Sequence, residues 1–265
     1  MAPALTYAAP HDPPWKRWLI RGIEWMTGGR TIRRLYAPLA ACAPDRFWKA
    51  ALDRLRVDVR CSGAPLGCLP AHERVVVVAN HPYGVLDGLV LCHLVARRRS
   101  DFKLLIHHAL CRSGRFDDHF LPVDFRDGDA ARRTNLRTMR AALAHLKAGG
   151  CVVIFPAGGI ATATPFFSDA EDLPWQPFAA KLVQSMRATV VPVHFSGQNS
   201  RLFHLASGAS ETLRLALILH ELRACMGRTL PVRVGAPIPY AALAHREDTA
   251  ALTQHLRART LALAA

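Results

Sequence analysis

The most constraining feature of the sequence is the uninterrupted apolar run Val75–Ala79, four valines followed by an alanine. A strand with one face in water alternates apolar and polar residues, so an unbroken apolar run indicates a strand that is buried on both faces. Strands of this kind are typical of the parallel sheet in an α/β protein. Residues 151–155 have the same character and predict a second buried strand.

Residues 80–88, Asn-His-Pro-Tyr-Gly-Val-Leu-Asp-Gly, directly follow the first of these strands. Pro82 and Gly84 favour a turn, and a helical pattern begins at about Val85. Because residues six apart do not share a helix face, His81 and Asp87 can meet only across such a turn. An imidazole can take a proton from a hydroxyl at neutral pH if a carboxylate fixes its tautomer and stabilises the imidazolium. The alternative is a turn histidine beside an aspartate that caps the following helix.

This stretch resembles the His/Asp block of the glycerolipid acyltransferase superfamily, and two later stretches resemble further blocks of that superfamily in the same order. Residues 151–159, Cys-Val-Val-Ile-Phe-Pro-Ala-Gly-Gly, are similar to its Phe-Pro-Glu-Gly block, and residues 190–197 to its Val-Pro-Val block. Five residues separate His81 from Asp87 where most members have four, which resembles the subgroup often labelled putative hemolysins or ornithine-lipid-type acyltransferases. The resemblance implies that His81 is the general base, that Asp87 orients it, and that no cofactor is needed.

The resemblance also implies a set of substrate-binding positions. Arg126 is the nearest match for an arginine that holds the acceptor's phosphate, with Arg115, Arg132 and Arg133 as alternatives. Ala157 stands where most members have glutamate, which puts the usual acceptor contact in doubt. Amides near Gly158 and Gly159 are expected to stabilise an oxyanion. The complete set of expected substrate-binding residues is Asn80, Gly84, Arg126, Phe155, Pro156, Ala157, Gly158, Gly159, Pro192 and Gly197.

We therefore expect an α/β fold with a mostly parallel central sheet flanked by helices. Residues 1–55 are predicted to form a helical, membrane-interfacial region, and residues 56–265 a single acyltransferase domain. Further strands are predicted at residues 57–61, at the sheet edge, and at 102–106, 120–124, 189–195 and 231–234. Leu136, Met139, Leu143 and Leu146 predict the buried stripe of a surface helix. Residues 97–99, three consecutive arginines, are expected to be a solvated helix terminus, and residues 213–226 a helix that is buried on several sides.

Residues 15–26 have the composition of an interfacial helix, with indoles at headgroup depth and cations for anionic lipid. The membrane contacts are assigned to Trp15, Trp18, Lys16, Arg17 and Arg21. The alternative is a helix that only packs on the domain. Residues 1–14, which contain four prolines, are predicted to be irregular.

The net charge of +14 favours anionic partners. Seven cysteines without a Cys-x-x-Cys pair argue against a disulfide framework and favour a reducing cytoplasm. No apolar run reaches the roughly 18 residues of a spanning helix, and no signal peptide is recognised, so peripheral association with the cytoplasmic face of the membrane is expected. The spacing of His107, His108, Cys111 and His119 is too irregular to predict a metal site.

The leading hypothesis is an enzyme that moves a fatty acyl group from acyl carrier protein or coenzyme A to the hydroxyl of a lysolipid, such as lysophosphatidic acid or lyso-ornithine lipid. The alternative is a catalytically inactive peripheral membrane-binding protein of the same fold. A nucleic-acid module is disfavoured, because no recognised motif accompanies the arginines. The usual motifs of serine hydrolases, nucleotide enzymes and zinc proteases are absent from the sequence.

Overall fold

A computed structural model describes residues 6, 8, 12–108, 111, 118–165, 167–245 and 248–264. Arg115 and most of the segment 1–14 lie outside these residues. The described helices are α1 (Pro14–Met26), α2 (Gly29–Tyr36), α3 (Pro44–Leu55), α4 (Val85–Ala96), α5 (Asp129–Lys147), α6 (Phe178–Met186), α7 (Arg201–Ala209), α8 (Glu211–Ala224) and α9 (Thr249–Leu261). None of them is both long enough and apolar enough to cross a membrane.

The described strands form one sheet of seven in the order β1-β7-β6-β2-β5-β3-β4. They are β1 (Asp58–Gly63), β2 (Val75–Ala79), β3 (Lys103–His107), β4 (Phe120–Val123), β5 (Cys151–Ile154), β6 (Thr189–Phe195) and β7 (Thr229–Val234). Every pair is parallel except β6 and β7. The predicted mostly parallel sheet is confirmed, and β1 lies at its edge as its alternation indicates.

Strand β2 lies at the centre of the molecule, and all five of its residues are buried. Val75, Val77 and Ala79 belong to an apolar cluster on one face of the sheet, and Val76 and Val78 to a second cluster on the other face. Burial on both faces is the reason that the run contains no polar residue.

The N-terminal helices contribute to the first of these clusters. Ile20 of α1, Ile32 of α2, and Phe47 and Trp48 of α3 are buried in the same cluster as Val77. Helix α1 packs mainly on α8, which begins after the capping residue Ser210. Helix α8 is buried along much of its length, as its apolar sequence predicts.

Helix α5 differs from the predicted amphipathic stripe. Leu146 is buried, but Leu136 is 58% exposed, and the other buried positions are Ala131, Thr138 and Ala142. The Thr138 hydroxyl donates to the carbonyl oxygen of Pro122 at the end of β4. Met139 and Leu143 are half-buried and pack against the second apolar cluster, so three of the four predicted stripe residues face the sheet. The prediction was wrong only for Leu136.

The arginine triplet after α4 is only partly a solvated terminus. Arg97 and Arg98 are exposed, but the side chain of Arg99 is only 2% exposed. Its Nη1 donates to the carbonyls of Pro70 and Glu73, and its Nη2 to that of Gly149. The guanidinium also forms a fork with Asp101, at 2.7 Å for both bonds, and this contact lowers the pKa of Asp101. The prediction was wrong for Arg99, because five hydrogen bonds compensate for its burial.

We expect Arg99→Met to destabilise the protein by about 3–5 kcal/mol, because it leaves three loop carbonyls without their donor and removes a buried charged network. Urea unfolding followed by circular dichroism measures this loss. Arg98→Met is the matched control, since Arg98 is exposed, and should change the unfolding free energy by less than about 0.5 kcal/mol. Equal effects of the two substitutions would contradict a structural role for the Arg99 network.

Candidate active site

The turn between β2 and α4 brings His81 and Asp87 together. The imidazole Nδ1 lies 3.1 Å from Asp87 Oδ2. Gly84 makes this possible with a φ of +83°, and a Cβ at this position would lie 2.6 Å from the Ile160 side chain. The sequence predicted this meeting across a break at Pro82 and Gly84, and the structure shows it.

Asp87 is fully buried and serves two purposes with one oxygen. Its Oδ2 accepts the amide hydrogens of Tyr83 (2.7 Å) and Gly84 (2.9 Å) in addition to its contact with His81. Asp87 therefore caps α4 and also orients the imidazole. The two interpretations of the motif, a His–Asp pair and a helix-capping aspartate, are compatible. Burial raises the pKa of Asp87, and the hydrogen bonds from His81, Tyr83 and Gly84 oppose that shift.

The contact with Asp87 sets the proton positions on His81. An ionised carboxylate can only accept hydrogen bonds, so neutral His81 carries its hydrogen on Nδ1 and keeps a lone pair on Nε2. The Phe155 ring stacks on the imidazole, with 4.1 Å between centroids and 23° between planes. The His81 side chain is 17% exposed. The arrangement holds the ring in one orientation with limited access to solvent.

The backbone of His81 is also held on both sides, by a loop at residues 160–175. Its N–H donates to Asp172 Oδ1 at 2.9 Å, and its carbonyl accepts from the Ala161 amide at 2.8 Å. The second Asp172 oxygen accepts from Trp175 Nε1 at 2.9 Å, and Trp175 is buried. Two hydrogen bonds between Thr162 and Glu171 close the loop. Sequence reasoning missed Asp172, since only the fold brings a residue 91 positions away to His81.

Four of the expected substrate-binding residues have buried side chains, namely Asn80, Pro156, Ala157 and Pro192. Asn80 exchanges two hydrogen bonds with the backbone of Phe195, at 2.9 and 2.7 Å, and so fastens β2 to β6. Pro192 lies inside β6 opposite Val78, and Ala157 packs in the second apolar cluster. Burial directs each of these side chains into the protein, and a substrate contact at these positions stays a prediction.

The turn after β5 uses one of the two backbone amides that were expected to face an oxyanion. The Gly158 amide donates to the Phe155 carbonyl at 3.0 Å, so this N–H is not free for an oxyanion. Among the described residues the Gly159 amide has no hydrogen-bond partner. Pro156, which is buried, accepts from the Gln176 amide. Of the two amides that were expected to donate to an oxyanion, the amide of Gly159 is therefore the one that still has no partner among the described residues.

Gly197 lies beside the same turn as His81. Its φ is +104°, and any Cβ there would collide with the Tyr83 hydroxyl. That hydroxyl donates to the Ser196 carbonyl at 3.1 Å, and burial raises the pKa of Tyr83 to about 12. Gly197 therefore lets a neutral tyrosine connect the two segments that follow β2 and β6.

Arg126 already has a carboxylate partner. Its Nε and Nη2 donate to the two oxygens of Asp124, at 2.9 and 2.6 Å. The hydrogen bond from Arg126 holds the pKa of the buried Asp124 well below its usual range. A phosphate would have to share this guanidinium with Asp124, which weakens the expected role of Arg126. The alternatives Arg132 and Arg133 lie exposed on α5.

The structure places the expected membrane residues on α1. Trp18 is 82% exposed, and Trp15, Trp25 and Met26 are also exposed, whereas Ile20 faces the core. Arg21 is exposed, Arg17 is partly buried, and Lys16 pairs with Asp12 at 3.2 Å. The helix thus packs on the domain through one side and presents indoles on another.

Comparison with known proteins finds two relatives with the same name. The lyso-glycine lipid O-acyltransferase of Phocaeicola vulgatus is 24% identical over 202 residues, which cover 73% of this chain and 69% of that protein. The protein of the same name from Bacteroides thetaiotaomicron is 26% identical over 202 residues, which cover 73% of this chain and 71% of that protein.

A solved structure shares the fold. The crystal structure of the 1-acyl-sn-glycerophosphate acyltransferase PlsC from Thermotoga maritima matches with a TM-score of 0.50 and 14% identity, over 94% of this chain and 92% of that chain. A model of the family described as Acyltransferase matches residues 2–263. The chain belongs to this acyltransferase family, within the glycerolipid acyltransferase superfamily.

Proposed function

We propose that the protein transfers a fatty acyl group from an acyl thioester to the hydroxyl of a lysolipid. The observation that carries this proposal is the His81 imidazole, fixed by Asp87 at 3.1 Å and by the stacked Phe155 ring, with Nε2 left to accept a proton. Membership of the acyltransferase family supports the reaction class, and the names of the two lyso-glycine lipid O-acyltransferases support a lysolipid acceptor.

The reaction needs one general base and no acyl-enzyme. His81 Nε2 takes the hydroxyl proton as the acceptor oxygen attacks the thioester carbonyl carbon. The C–S bond then breaks, the imidazolium returns the proton to the thiolate, and the new ester and a free thiol leave. Buried Asp87 stabilises the imidazolium between these two transfers, and the Gly159 amide is our candidate donor to the oxyanion.

For the acceptor we propose a lyso-aminolipid, such as a lyso-ornithine or lyso-glycine lipid, with lysophosphatidic acid as the second candidate. Two curated relatives are named for a lyso-glycine lipid. The Arg126 fork is occupied by Asp124, which disfavours phosphate binding at that position. The alanine at position 157, where most members of the superfamily have glutamate, is a further departure from the usual acceptor site. The donor is acyl carrier protein or acyl-coenzyme A.

We also propose that α1 holds the protein against the cytoplasmic face of an anionic membrane. The exposed indoles of Trp15 and Trp18 suit the headgroup region, and Arg17 and Arg21 suit anionic lipid. This placement would bring a soluble donor and a membrane-bound acceptor to one enzyme.

His81→Ala is expected to lower turnover by about 10²–10⁴-fold, because the general base is lost. Asp87→Asn should be similarly severe, since it keeps the shape of the side chain but removes the charge that stabilises the imidazolium. Mass spectrometry of acylated products from labelled acyl donors and a panel of lysolipids measures this effect, with wild type as the reference. Near-normal turnover in folded His81→Ala protein would contradict the mechanism, and lipid binding without turnover by the wild type would favour an inactive membrane-binding protein.

Asp172→Ala is expected to lower kcat by about 10²-fold with little change in KM, because small displacements of a catalytic group are costly. Asp172→Asn should recover part of this loss, since its amide oxygen still accepts from the His81 N–H. Asp169→Ala is the matched control, because Asp169 is exposed on the same loop. A purely structural role would lower only the unfolding free energy, measured in urea, and leave kcat of the folded fraction unchanged.

Trp15→Ala combined with Trp18→Ala is expected to release the protein from anionic vesicles, measured by sedimentation, while activity on detergent-dispersed lysolipid is retained. Arg17→Gln combined with Arg21→Gln should weaken binding by about 1 kcal/mol per residue, and added salt should remove this contribution but not that of the indoles. Unchanged sedimentation of both variants would show that α1 is only a packing element.

A further inference from the structure

The outer face of α5 carries an unusual group of residues. Arg132, Arg133, Leu136, Arg137 and Arg140, here called the α5 patch, are all exposed. At 100° per residue they lie within an arc of about 140° around Leu136. The patch therefore presents one leucine surrounded by four guanidinium groups.

The arginine side chains of the α5 patch have no partner in the described part of the chain. Among the described residues, none of the four arginine side chains makes a hydrogen bond or an ion pair. Arg99 and Arg126, by contrast, are bound to carboxylates. Arginines around an exposed apolar residue are typical of a protein–protein interface, in which a desolvated centre lies within a polar rim.

Phe125 connects the patch to the catalytic edge of the sheet. It follows β4, is 54% exposed, and lies against Gly158 in the turn after β5. Helix α5 begins at Asp129, on the same edge as His81, and the patch extends to about 16 Å along the helix from that point. A partner seated on the patch would thus lie beside the reacting groups.

The α5 patch and the proposed membrane helix α1 lie on opposite faces of the sheet. Helix α1 packs through Ile20 into the apolar cluster on one face, and α5 packs through Ala142 and Leu146 into the cluster on the other. A membrane in contact with the indoles of α1 would leave the α5 patch in water. The partner for the patch is then a soluble one.

We propose that the α5 patch docks an acidic acyl carrier protein and positions its thioester at His81. This inference rests on the proposed acyl transfer and deepens it by naming the donor. Each guanidinium group can donate two parallel hydrogen bonds to a carboxylate of the carrier protein. Leu136 and Phe125 supply the apolar contact. Complementary charge steers the encounter and sets which donor is accepted.

Direct binding tests the docking surface without relying on turnover. An acyl carrier protein loaded with a palmitoyl group is titrated against the full chain at low salt. Arg137→Glu with Arg140→Glu should raise Kd by at least about tenfold, and Leu136→Ser, which keeps every charge, should raise it by about fivefold. Arg97→Glu with Arg98→Glu has the same charge change at the opposite edge of the sheet and should leave Kd unchanged. Wild-type affinity in either patch variant would overturn the proposal.

Turnover distinguishes a failure of the docking surface from a failure of the proposed function. The Arg137→Glu, Arg140→Glu variant should lose about tenfold in kcat/KM with the palmitoyl carrier protein but keep wild-type kcat/KM with palmitoyl-pantetheine, which lacks both the protein and the phosphates. Equal losses with the two donors would overturn the docking proposal. A wild-type protein that is inactive with every donor but still binds the carrier through the patch would overturn only the acyl transfer.

A membrane is the competing occupant of the α5 patch. Vesicle sedimentation of the same variant decides between the two partners. Unchanged binding to anionic vesicles, together with weakened carrier binding, is the result expected. Release from the vesicles with normal carrier affinity would overturn the proposal and assign the patch to lipid.

Discussion

The convergence of three N–H donors on one oxygen of Asp87 is the interaction on which the site depends. This oxygen ends the turn after β2, caps α4 and orients His81, so the proposed catalysis and local folding share one buried carboxylate. Burial of the charge is tolerated because its donors are fixed by the turn. The carboxylate of Asp87, which orients the proposed base, is thus held at the junction between the central strand β2 and helix α4.

The rest of the site is held mainly by backbone contacts. Asn80 fastens β2 to β6, Asp172 and Ala161 hold the peptide of His81, and Gly197 allows Tyr83 to reach Ser196. Such contacts fix the backbone on either side of a single imidazole, and the stacked Phe155 ring limits the orientation of the imidazole itself.

Much of the fold was predictable because burial determines the pattern of apolar and polar residues along each strand and helix. The apolar run of β2, the alternation of β1 and the turn at Pro82 and Gly84 each reflect a local constraint. Two predictions failed for a common reason: Arg99 and Leu136 were placed by residue type, whereas the structure placed them by their neighbours. Loop carbonyls and a carboxylate surround Arg99, and Leu136 lies on the exposed side of α5, beyond the residues that pack on the sheet.

The sequence by itself determined the α/β class, the position of the His81–Asp87 pair and the family, since these depend on residue pattern and on spacing over a few positions. Tertiary structure alone decided that Asp172 supports His81, that Ala157 and Pro192 face inward, and that α1 and α5 lie on opposite faces of the sheet. These features depend on contacts between residues far apart in the chain. Their physical reason is strand order, because the pairing of β2 with both β5 and β6 decides which loops meet at the catalytic edge.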